Sequence, residues 1–247
     1  MPIMTVGTGR ALIYSGIQTY DQRVLATRPI AYWPQSETAG VTAHCLVNPL
    51  QDGTYTGVTL ANDNTRPFGT SAPFYDGAND YCNTFSAALS AVFNGATGSI
   101  MIWAKVANVG VWTDGLRRDA IMLRSGGDYY YSYRNVVNNN YTYQGIVGGG
   151  AAAVSEGGVA ITDWMCQVMT FSDSNNDDLL IGYRDGAAVG IPSAAMNAWG
   201  GGALNATWTC IGATNTTPAQ VWHGWLGPCA IWNRVLTPAE IAGLYVT

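Results

Sequence analysis

The sequence predicts an all-β protein, a sandwich of two antiparallel sheets that ends in one short helix. Apolar runs of about 5–8 residues recur along the chain, with Gly, Asn and Asp turn signals between them. Between these runs no stretch has helical periodicity, so crossover helices are not expected. The final stretch carries helix-capping signals. Strands at this spacing are typical of β-sandwiches.

The first predicted strands lie between residues 25 and 110. One follows Pro29 in PIAYW, and the next is a hairpin strand in QDGTYTGVTLAND. Two strand pieces flank the Asp-Gly turn of APFYDGANDYCNTF. GSIMIWAKVAN is strongly apolar, and its alternation places Ile100, Ile102 and Ala104 on one face of a strand.

The second half of the chain continues this pattern. Successive strands are predicted in DAIMLRSGGDYYYSYR and NYTYQGIV, and a meander follows in DWMCQVMTFSDSNNDDLLIGYRDGAAVG. TWTCIGAT and WHGWLGPCAIWNR add the last strands. The glycine-rich stretches 148–158 and 200–202 are predicted to be flexible loops, and nothing marks a boundary between domains.

The predicted helix begins near the C-terminus. Thr237 suits the N-cap, a proline follows at the first helical position, and Glu240 completes a capping box. Ile241, Leu244 and Tyr245 then form one apolar stripe. Because so short a helix is unstable alone, we expect it to dock on the sandwich.

The low content of charged residues excludes some functions. They make up 11% of the chain, against roughly 25% in typical soluble domains. The surface is either made soluble by amides and hydroxyls or packed against other subunits, because interface cores are depleted in charge. A net charge of -5 without a basic stripe argues against nucleic acid. No apolar run of about 18 residues is present, so no membrane span is expected.

The cysteines are odd in number and irregularly spaced, and they form no Cys/His cluster of the kind that binds zinc. We expect them to be small buried hydrophobic residues: Cys45, Cys82, Cys166, Cys210 and Cys229. The N-terminal stretch lacks a cationic region ahead of an apolar one and does not resemble a signal peptide. Synthesis in a reducing cytoplasm is therefore expected.

Three stretches together carry a family resemblance: VLATRPIAYWPQSETAGVTA, FYDGANDYCNT and HGWLGPCAIWNRVLTPAEIAGLY. They resemble the opening strand, the Phe-Asp-Gly-x-x-Asp-Tyr strand pair and the closing strand and helix of LamG-like jelly-roll domains. These domains belong to the concanavalin A-like lectin/glucanase superfamily and are of a type found in bacteriophage virion proteins. The resemblance covers residues 25–247 and leaves residues 1–24 as an N-terminal arm. It implies a jelly roll whose closing helix covers an open edge of the sandwich.

The resemblance also implies structural calcium in some members. Asp76 and Asp80 match the Asp-Gly-x-x-Asp motif as candidate metal ligands, and the alternative is that they cap the turn through Asx hydrogen bonds. The loop with Asp173, Asp177 and Asp178 is either a site for a hard cation or a solvated hairpin tip. Carboxylates common elsewhere in the family are missing here, so no cofactor is predicted and calcium is doubtful.

Some members of the superfamily are glycosidases, whose chemistry requires two facing carboxylates about 5–5.5 or 6.5–9.5 Å apart. The family's enzymes carry them as Glu-x-Asp-x-Glu on one strand. Glu37, Glu156 and Glu240 are the only glutamates, and none has that neighbourhood. The sequence therefore predicts a protein that is not an enzyme.

Two functions agree with the resemblance. The first is a structural subunit of a bacteriophage virion, a capsid decoration or tail-associated protein that is made in the host cytoplasm and forms homo-oligomers. Apolar residues of the arm are predicted to contact a neighbouring subunit, so a chain lacking residues 1–24 should fold without assembling: Ile3, Val6, Leu12, Ile13 and Ile17. The alternative is a lectin-like module that binds cell-surface or polysaccharide glycans.

A glycan site would use aromatic residues of the DYYYSYRNVVNNNYTYQ hairpin or of the last strand: Tyr129, Tyr131, Tyr141, Trp222 and Trp225. On a strand, Tyr129 and Tyr131 share one face and Tyr130 takes the other, so one set is core and the other is a platform. Asn138 to Asn140 are predicted either to hydrogen-bond the sugar or to form the hairpin tip.

Overall fold

The computed structural model describes residues 18–63, 68, 71–136, 139–173 and 179–245. Within these residues the chain forms two antiparallel sheets packed face to face, as predicted. The strands of the first sheet are β1 Ala31–Trp33, β4 Thr59–Asp63, β5 Ala72–Asp76, β7 Thr97–Val106, β12 Met165–Ser172, β13 Leu179–Arg184, β14 Ala187–Ser193 and β16 His223–Trp232. Those of the second are β2 Thr42–Ala43, β3 Gly53–Thr56, β6 Tyr81–Asn83, β8 Arg118–Ser125, β9 Asp128–Arg134, β10 Tyr141–Val147, β11 Gly150–Glu156 and β15 Cys210–Ile211.

Three helices complete the described chain: α1 Tyr20–Ala26, α2 Ala87–Val92 and α3 Pro238–Tyr245. Short 3₁₀ turns lie at Pro49–Gln51 and Val109–Trp112. Among the residues described, no helix is long and apolar enough to cross a membrane.

The order of strands in the first sheet is β14-β13-β12-β7-β16-β5-β4, and β1 also pairs with β16. In the second it is β11-β10-β9-β8-β15-β6-β3-β2. The chain crosses between sheets from β3 to β4 and again from β5 to β6. QDGTYTGVTLAND is thus two strands in different sheets, whereas the sequence predicted one hairpin strand. Crossings of this kind produce the jelly roll.

The central strand β7 is buried on both faces. Ile100, Ile102 and Ala104 belong to the core between the sheets, as their alternation predicted. Met101 and Trp103 point to the opposite face of the first sheet, where they are 0% and 1% exposed. A strand with two covered faces is apolar along its length, because neither face meets water.

Helix α1 covers part of this outer face. Tyr20 and Val24 are 7% and 0% exposed and pack in the same apolar cluster as Trp103. The indole N–H of Trp103 donates to the Tyr20 hydroxyl at 2.6 Å. The predicted boundary between residues 24 and 25 falls inside α1, and Tyr20 and Val24 before it pack on the first sheet. The predicted contact residues Ile3 to Ile17 lie outside the described residues.

Helix α3 begins as the sequence predicts. The backbone N–H of Glu240 donates to Thr237 Oγ1 at 3.2 Å, and the backbone N–H of Thr237 donates to Glu240 Oε2 at 2.9 Å. Ile241 and Leu244 are buried beside Trp103 on the outer face of the first sheet. The resemblance implied that this helix covers an open edge; the helix packs on the outer face of the first sheet and contacts both β12 and the edge strand β14.

Two smaller expectations have opposite outcomes. The stretch 148–158 was predicted to be a loop but contains β11, because Ala152 and Val154 alternate into the core. Gly148 and Gly149, with φ of 57° and 82°, make the tight turn before it. The prediction for the five cysteines is confirmed, since all are free and buried.

Candidate functional site

The outer face of the second sheet carries a row of tyrosines from β9. Tyr129, Tyr131 and Tyr133 lie on this face, while Tyr130 points into the core. Tyr130 is 0% exposed and stacks on Phe171 with ring centroids 3.8 Å apart. The predicted separation of Tyr129 and Tyr131 from Tyr130 is therefore confirmed. It follows from the two-residue period of the strand.

The outward tyrosines form a continuous ladder of rings. The Tyr131 and Tyr133 centroids are 4.9 Å apart and nearly parallel, and those of Tyr129 and Tyr131 are 5.4 Å apart. The hydroxyls of Tyr131 and Tyr133 both donate to Gln144 Oε1, at 2.6 and 3.0 Å. Burial raises the pKa of both phenols above the usual value, so they remain proton donors at neutral pH.

An arginine covers two of these rings. The guanidinium carbon of Arg117 lies 4.5 Å from the Tyr131 centroid and 4.4 Å from that of Tyr133. Asp119, which is 0% exposed, accepts from Arg117 Nε at 2.6 Å and from Nη2 at 2.8 Å. Tyr131 is only 5% exposed as a result. The prediction that Tyr131 is an exposed platform is wrong, because its ring supports a guanidinium instead.

A second arginine lies at the other end of the ladder. The guanidinium carbon of Arg124 is 4.6 Å from the Trp208 ring centroid and 5.6 Å from that of Tyr129. Its Nε donates to the Gly126 carbonyl at 2.8 Å. Arg124, Tyr129 and Trp208 are each half-buried. The accessible surface therefore consists of flat guanidinium and aromatic groups, and we call Arg117, Arg124, Tyr129 and Trp208 the arginine–aromatic face.

Two other candidate residues lie in the core. Tyr141 and Trp222 are both 0% exposed, and both belong to the apolar cluster between the sheets. Tyr141 Oη lies 3.0 Å from Ser132 Oγ, and the indole N–H of Trp222 donates to the Lys105 carbonyl at 3.3 Å. The expectation that they are exposed is wrong, because each side chain lies on the inner side of its sheet.

Trp225 lies near the start of β16, on the outer face of the first sheet, and is half-buried. Its ring centroid is 5.0 Å from that of Phe74, and the Lys105 ammonium lies 5.0 Å from the Trp225 ring. The indole N–H donates to Asn62 Oδ1 at 3.1 Å. Trp225 is thus a second partly accessible aromatic residue, on the opposite side of the sandwich from the arginine–aromatic face.

A protein-family model described as the concanavalin A-like lectin/glucanases superfamily matches residues 76–242. The chain belongs to this superfamily. A comparison with curated protein sequences gives no match.

Solved structures of this superfamily's fold resemble the chain at low identity. Domain 4 of AbnA, a GH43 extracellular arabinanase from Geobacillus stearothermophilus, in complex with arabinotriose, is 11% identical with a TM-score of 0.60, covering 88% of this chain and 98% of that one. The receptor-binding domain of botulinum neurotoxin mosaic serotype C/D is 10% identical, with a TM-score of 0.63 and coverages of 88% and 50%. Trypanosoma rangeli sialidase in complex with sialic acid is 11% identical, with a TM-score of 0.56 and coverages of 87% and 32%. These likenesses show the fold.

Asp76 and Asp80, the candidate metal ligands, accept hydrogen bonds from nearby backbone N–H groups. Asp76 Oδ1 accepts from the backbone N–H groups of Ala78 and Asn79 at 2.8 and 3.2 Å, and Asp80 Oδ2 accepts from that of Asp76 at 2.8 Å. The alternative of Asx hydrogen bonds is therefore confirmed. In the described part of the chain, no three His, Cys, Asp or Glu side chains come together as a metal site.

The predicted loop sites are only partly described. Asp173 accepts from the backbone N–H of Trp199 at 2.6 Å, whereas Asp177 and Asp178 lie outside the described residues. Asn138 also lies outside them, but Asn139 has a φ of 50°, as predicted for a residue at a hairpin tip.

The tyrosine ladder and the arginine–aromatic face contain residues that the sequence analysis missed. Tyr133 continues the same alternation as Tyr129 and Tyr131, so the signal for it was present in DYYYSYR. Arg124 and Trp208 come together only because β8 pairs with β9 and the chain before β15 returns to this face. Nothing in local spacing links residues so distant in sequence.

Proposed function

We propose that this chain is a lectin-like, non-enzymatic glycan-binding domain whose binding surface is the arginine–aromatic face. The observation that carries the proposal is a set of half-buried aromatic and guanidinium groups on a sheet face that no described helix covers. Sugar rings present flat C–H faces that pack on aromatic rings, while their hydroxyls need polar partners. The likeness to an arabinanase domain in complex with arabinotriose supports this proposal.

The polar groups for sugar hydroxyls are available next to the rings. Gln144 Oε1 is held by two tyrosine hydroxyls, and its amide N–H₂ group projects from the same half-buried side chain. Arg117 is fixed by Asp119, so its planar guanidinium is pre-organised as a donor. Pre-organised groups lose little entropy when a ligand binds, which favours affinity for a flat, polar ligand.

Absence of catalysis is part of the proposal, because each glutamate has a structural partner. Glu37 accepts from the Tyr55 hydroxyl and from the backbone N–H of His44, both at 2.8 Å. Glu156 forms an ion pair with Arg184, and Glu240 forms one with Arg234. None of the three lies on the arginine–aromatic face, where a glycosidase of this kind would need a pair of carboxylates.

The proposal is tested with a glycan array followed by calorimetric titration of the best ligand. Trp208→Ala should weaken binding about tenfold or more, because a central aromatic contact is worth roughly 1.4 kcal/mol or more. Trp225→Ala is the matched control, since it removes a similarly half-buried indole from the opposite side. If Trp225→Ala loses glycan binding and Trp208→Ala does not, the site lies at Trp225 on the first sheet and not on the arginine–aromatic face. No ligand on the array would reject the proposal.

A second proposal is that the chain is a structural subunit of a bacteriophage virion that assembles as a homo-oligomer. One short segment exposes four apolar residues: Val41 63%, Leu46 46%, Val47 39% and Leu50 74%. Clustered exposed apolar side chains mark protein–protein contacts, and the low charged fraction agrees with such a surface.

This second proposal is tested by mass spectrometry of purified virions and by the oligomeric state in solution. Leu50→Asp should reduce assembly without unfolding the protein, because its side chain is already exposed. Particles that lack the chain, together with a wild type that is monomeric at all concentrations, would reject it.

A further inference from the structure

Most arginines near the arginine–aromatic face are neutralised by a carboxylate. Arg117 pairs with Asp119, and Arg118 and Arg134 share Asp114. Arg124 differs, because its only described polar partner is the Gly126 carbonyl. In the part of the chain that the structure describes, no carboxylate lies within ion-pair distance of it. The positive charge of this guanidinium is therefore not compensated by a described carboxylate, on a protein whose net charge is -5.

The position of Arg124 is fixed even though its charge is not compensated. Its guanidinium packs 4.6 Å from the Trp208 centroid, and the bond from Nε to the Gly126 carbonyl sets its orientation. The aromatic surroundings hold the cation flat and remove part of its hydration. Both Nη groups remain without a described hydrogen-bond partner, and a planar fork of this kind binds a carboxylate through two parallel hydrogen bonds.

Arg117 lies farther along the same face. Arg124 lies over Tyr129, whereas Arg117 lies over Tyr131 and Tyr133, about three residues farther along β9. At about 3.3 Å per residue, the two guanidinium groups are roughly 10 Å apart along the strand. This separation is comparable with the length of a disaccharide. Because Asp119 already neutralises Arg117, that end of the site suits hydroxyls, and the Arg124 end suits a negative charge.

We infer that the ligand is an acidic glycan, with the carboxylate of a uronic or sialic acid unit bound by Arg124 and the adjoining sugar over Tyr129 and Trp208. The inference rests on the proposed function and names its substrate class. The charge on Arg124 selects acidic over neutral sugars, because an unpaired, partly desolvated cation gains most from a carboxylate.

The test compares acidic probes with neutral versions of the same chains. Oligogalacturonides and polysialic acid are titrated beside their methyl esters at low and high salt. For wild type, at least one acid should bind about tenfold or more tightly than its ester, and added salt should reduce this preference. Arg124→Gln should weaken binding of the acid much more than binding of the ester and so abolish the preference, and Arg124→Lys should restore part of it.

Arg28→Gln is the matched control for net charge, because Arg28 is exposed and follows α1 on the other sheet. It should leave the preference unchanged. Equal affinity for acid and ester in wild type, or an unchanged preference in Arg124→Gln, overturns the inference. If the esters still bind and Trp208→Ala abolishes that binding, the proposed glycan-binding function stands and only the preference for acidic glycans is rejected. If no glycan of either kind binds, both fail. Circular dichroism checks that each variant is folded.

Discussion

The outer faces of the two sheets are both rich in aromatic residues, yet they are covered in different ways. On the first sheet, α1 and α3 pack over Trp103 and Trp232, which are 1% and 0% exposed. On the second, the Arg117 side chain lies over Tyr131 and Tyr133, and no described helix crosses the tyrosine ladder. One face is covered by helices of the chain, and on the other an arginine side chain lies over the rings.

The partners of the polar groups explain this difference. On the first sheet, the indole N–H of Trp103 needs the Tyr20 hydroxyl, and that of Trp232 donates to Thr27 Oγ1 at 3.0 Å. Both acceptors come from α1 or the residue after it. On the second sheet, the tyrosine hydroxyls are satisfied by Gln144 within the sheet itself. A buried donor without a partner costs about 1–3 kcal/mol, so the first face depends on its helix and the second does not.

The largest effect expected is a contrast between two tryptophans. Trp103→Ala should lower the free energy of unfolding by about 3–5 kcal/mol, because it leaves a cavity beneath two helices. Trp208→Ala on the half-buried second face should cost roughly 1 kcal/mol or less. Guanidinium denaturation measures both. Equal losses in the two variants would mean that the second face is as closed as the first.

A smaller loss is expected when the chain begins at Leu25, which removes Tyr20 and Val24. Their burial stabilises the domain by roughly 1.5–3 kcal/mol each, and the entropy of ordering the helix offsets part of this. We expect a net loss of roughly 2–3 kcal/mol and a lower Tm. A chain that begins at Gln18 is the control, because it keeps α1. Full stability in the shorter chain would show that the first face needs no cover.

The smallest effect concerns the contact that joins the two helices. Arg234 binds Glu240 at 2.6 and 2.9 Å and also donates to the Thr27 carbonyl at 2.9 Å. The hydrogen bonds from Arg234 lower the pKa of Glu240 to about 2, from an ordinary value of 4.5. A lowered pKa means that the ionised form stabilises the fold. This contribution is complete above about pH 4.5 and is lost as the pH falls towards 2.

Glu240→Gln should therefore cost about 1 kcal/mol at pH 7, since the pair is partly exposed, and almost nothing near pH 2. The comparison with wild type is necessary because burial raises the pKa of Asp80 and Asp185 and gives them the opposite pH dependence. Urea denaturation at several pH values measures the difference. A difference that does not change with pH would show that the charge of Glu240 is not what holds the helices.

The sequence predicted the features that local pattern determines. Three features each depend on residues close together in the chain: the alternation of β7, the inward orientation of Tyr130 and the capping box at Thr237. The same kind of signal was present and missed in α1, where Thr19 and Gln22 form a reciprocal capping box. The family resemblance begins at residue 25, and the helix was assigned to the arm for that reason.

Contacts across the sheets could not be predicted in the same way. Tyr141 and Trp222 are the same residue types as Tyr129 and Trp208. Only the side of the sheet on which each side chain lies decides which pair is buried. The stacking of Arg124 on Trp208 depends on strand order in the second sheet, which no local pattern encodes. Of the candidate residues, Tyr129 and Trp225 are partly accessible, whereas Tyr131, Tyr141 and Trp222 are buried.

The burial of the five free thiols has a consequence for their reactivity. All are buried, and burial raises the pKa of Cys82 and Cys166 well above the usual value and that of Cys210 to about 12. Oxidants and alkylating reagents attack the thiolate, which is scarce under these conditions. While the sandwich stays closed, these buried thiols are therefore expected to react slowly with oxidants and alkylating reagents. The rate of thiol labelling therefore measures how often the sandwich opens.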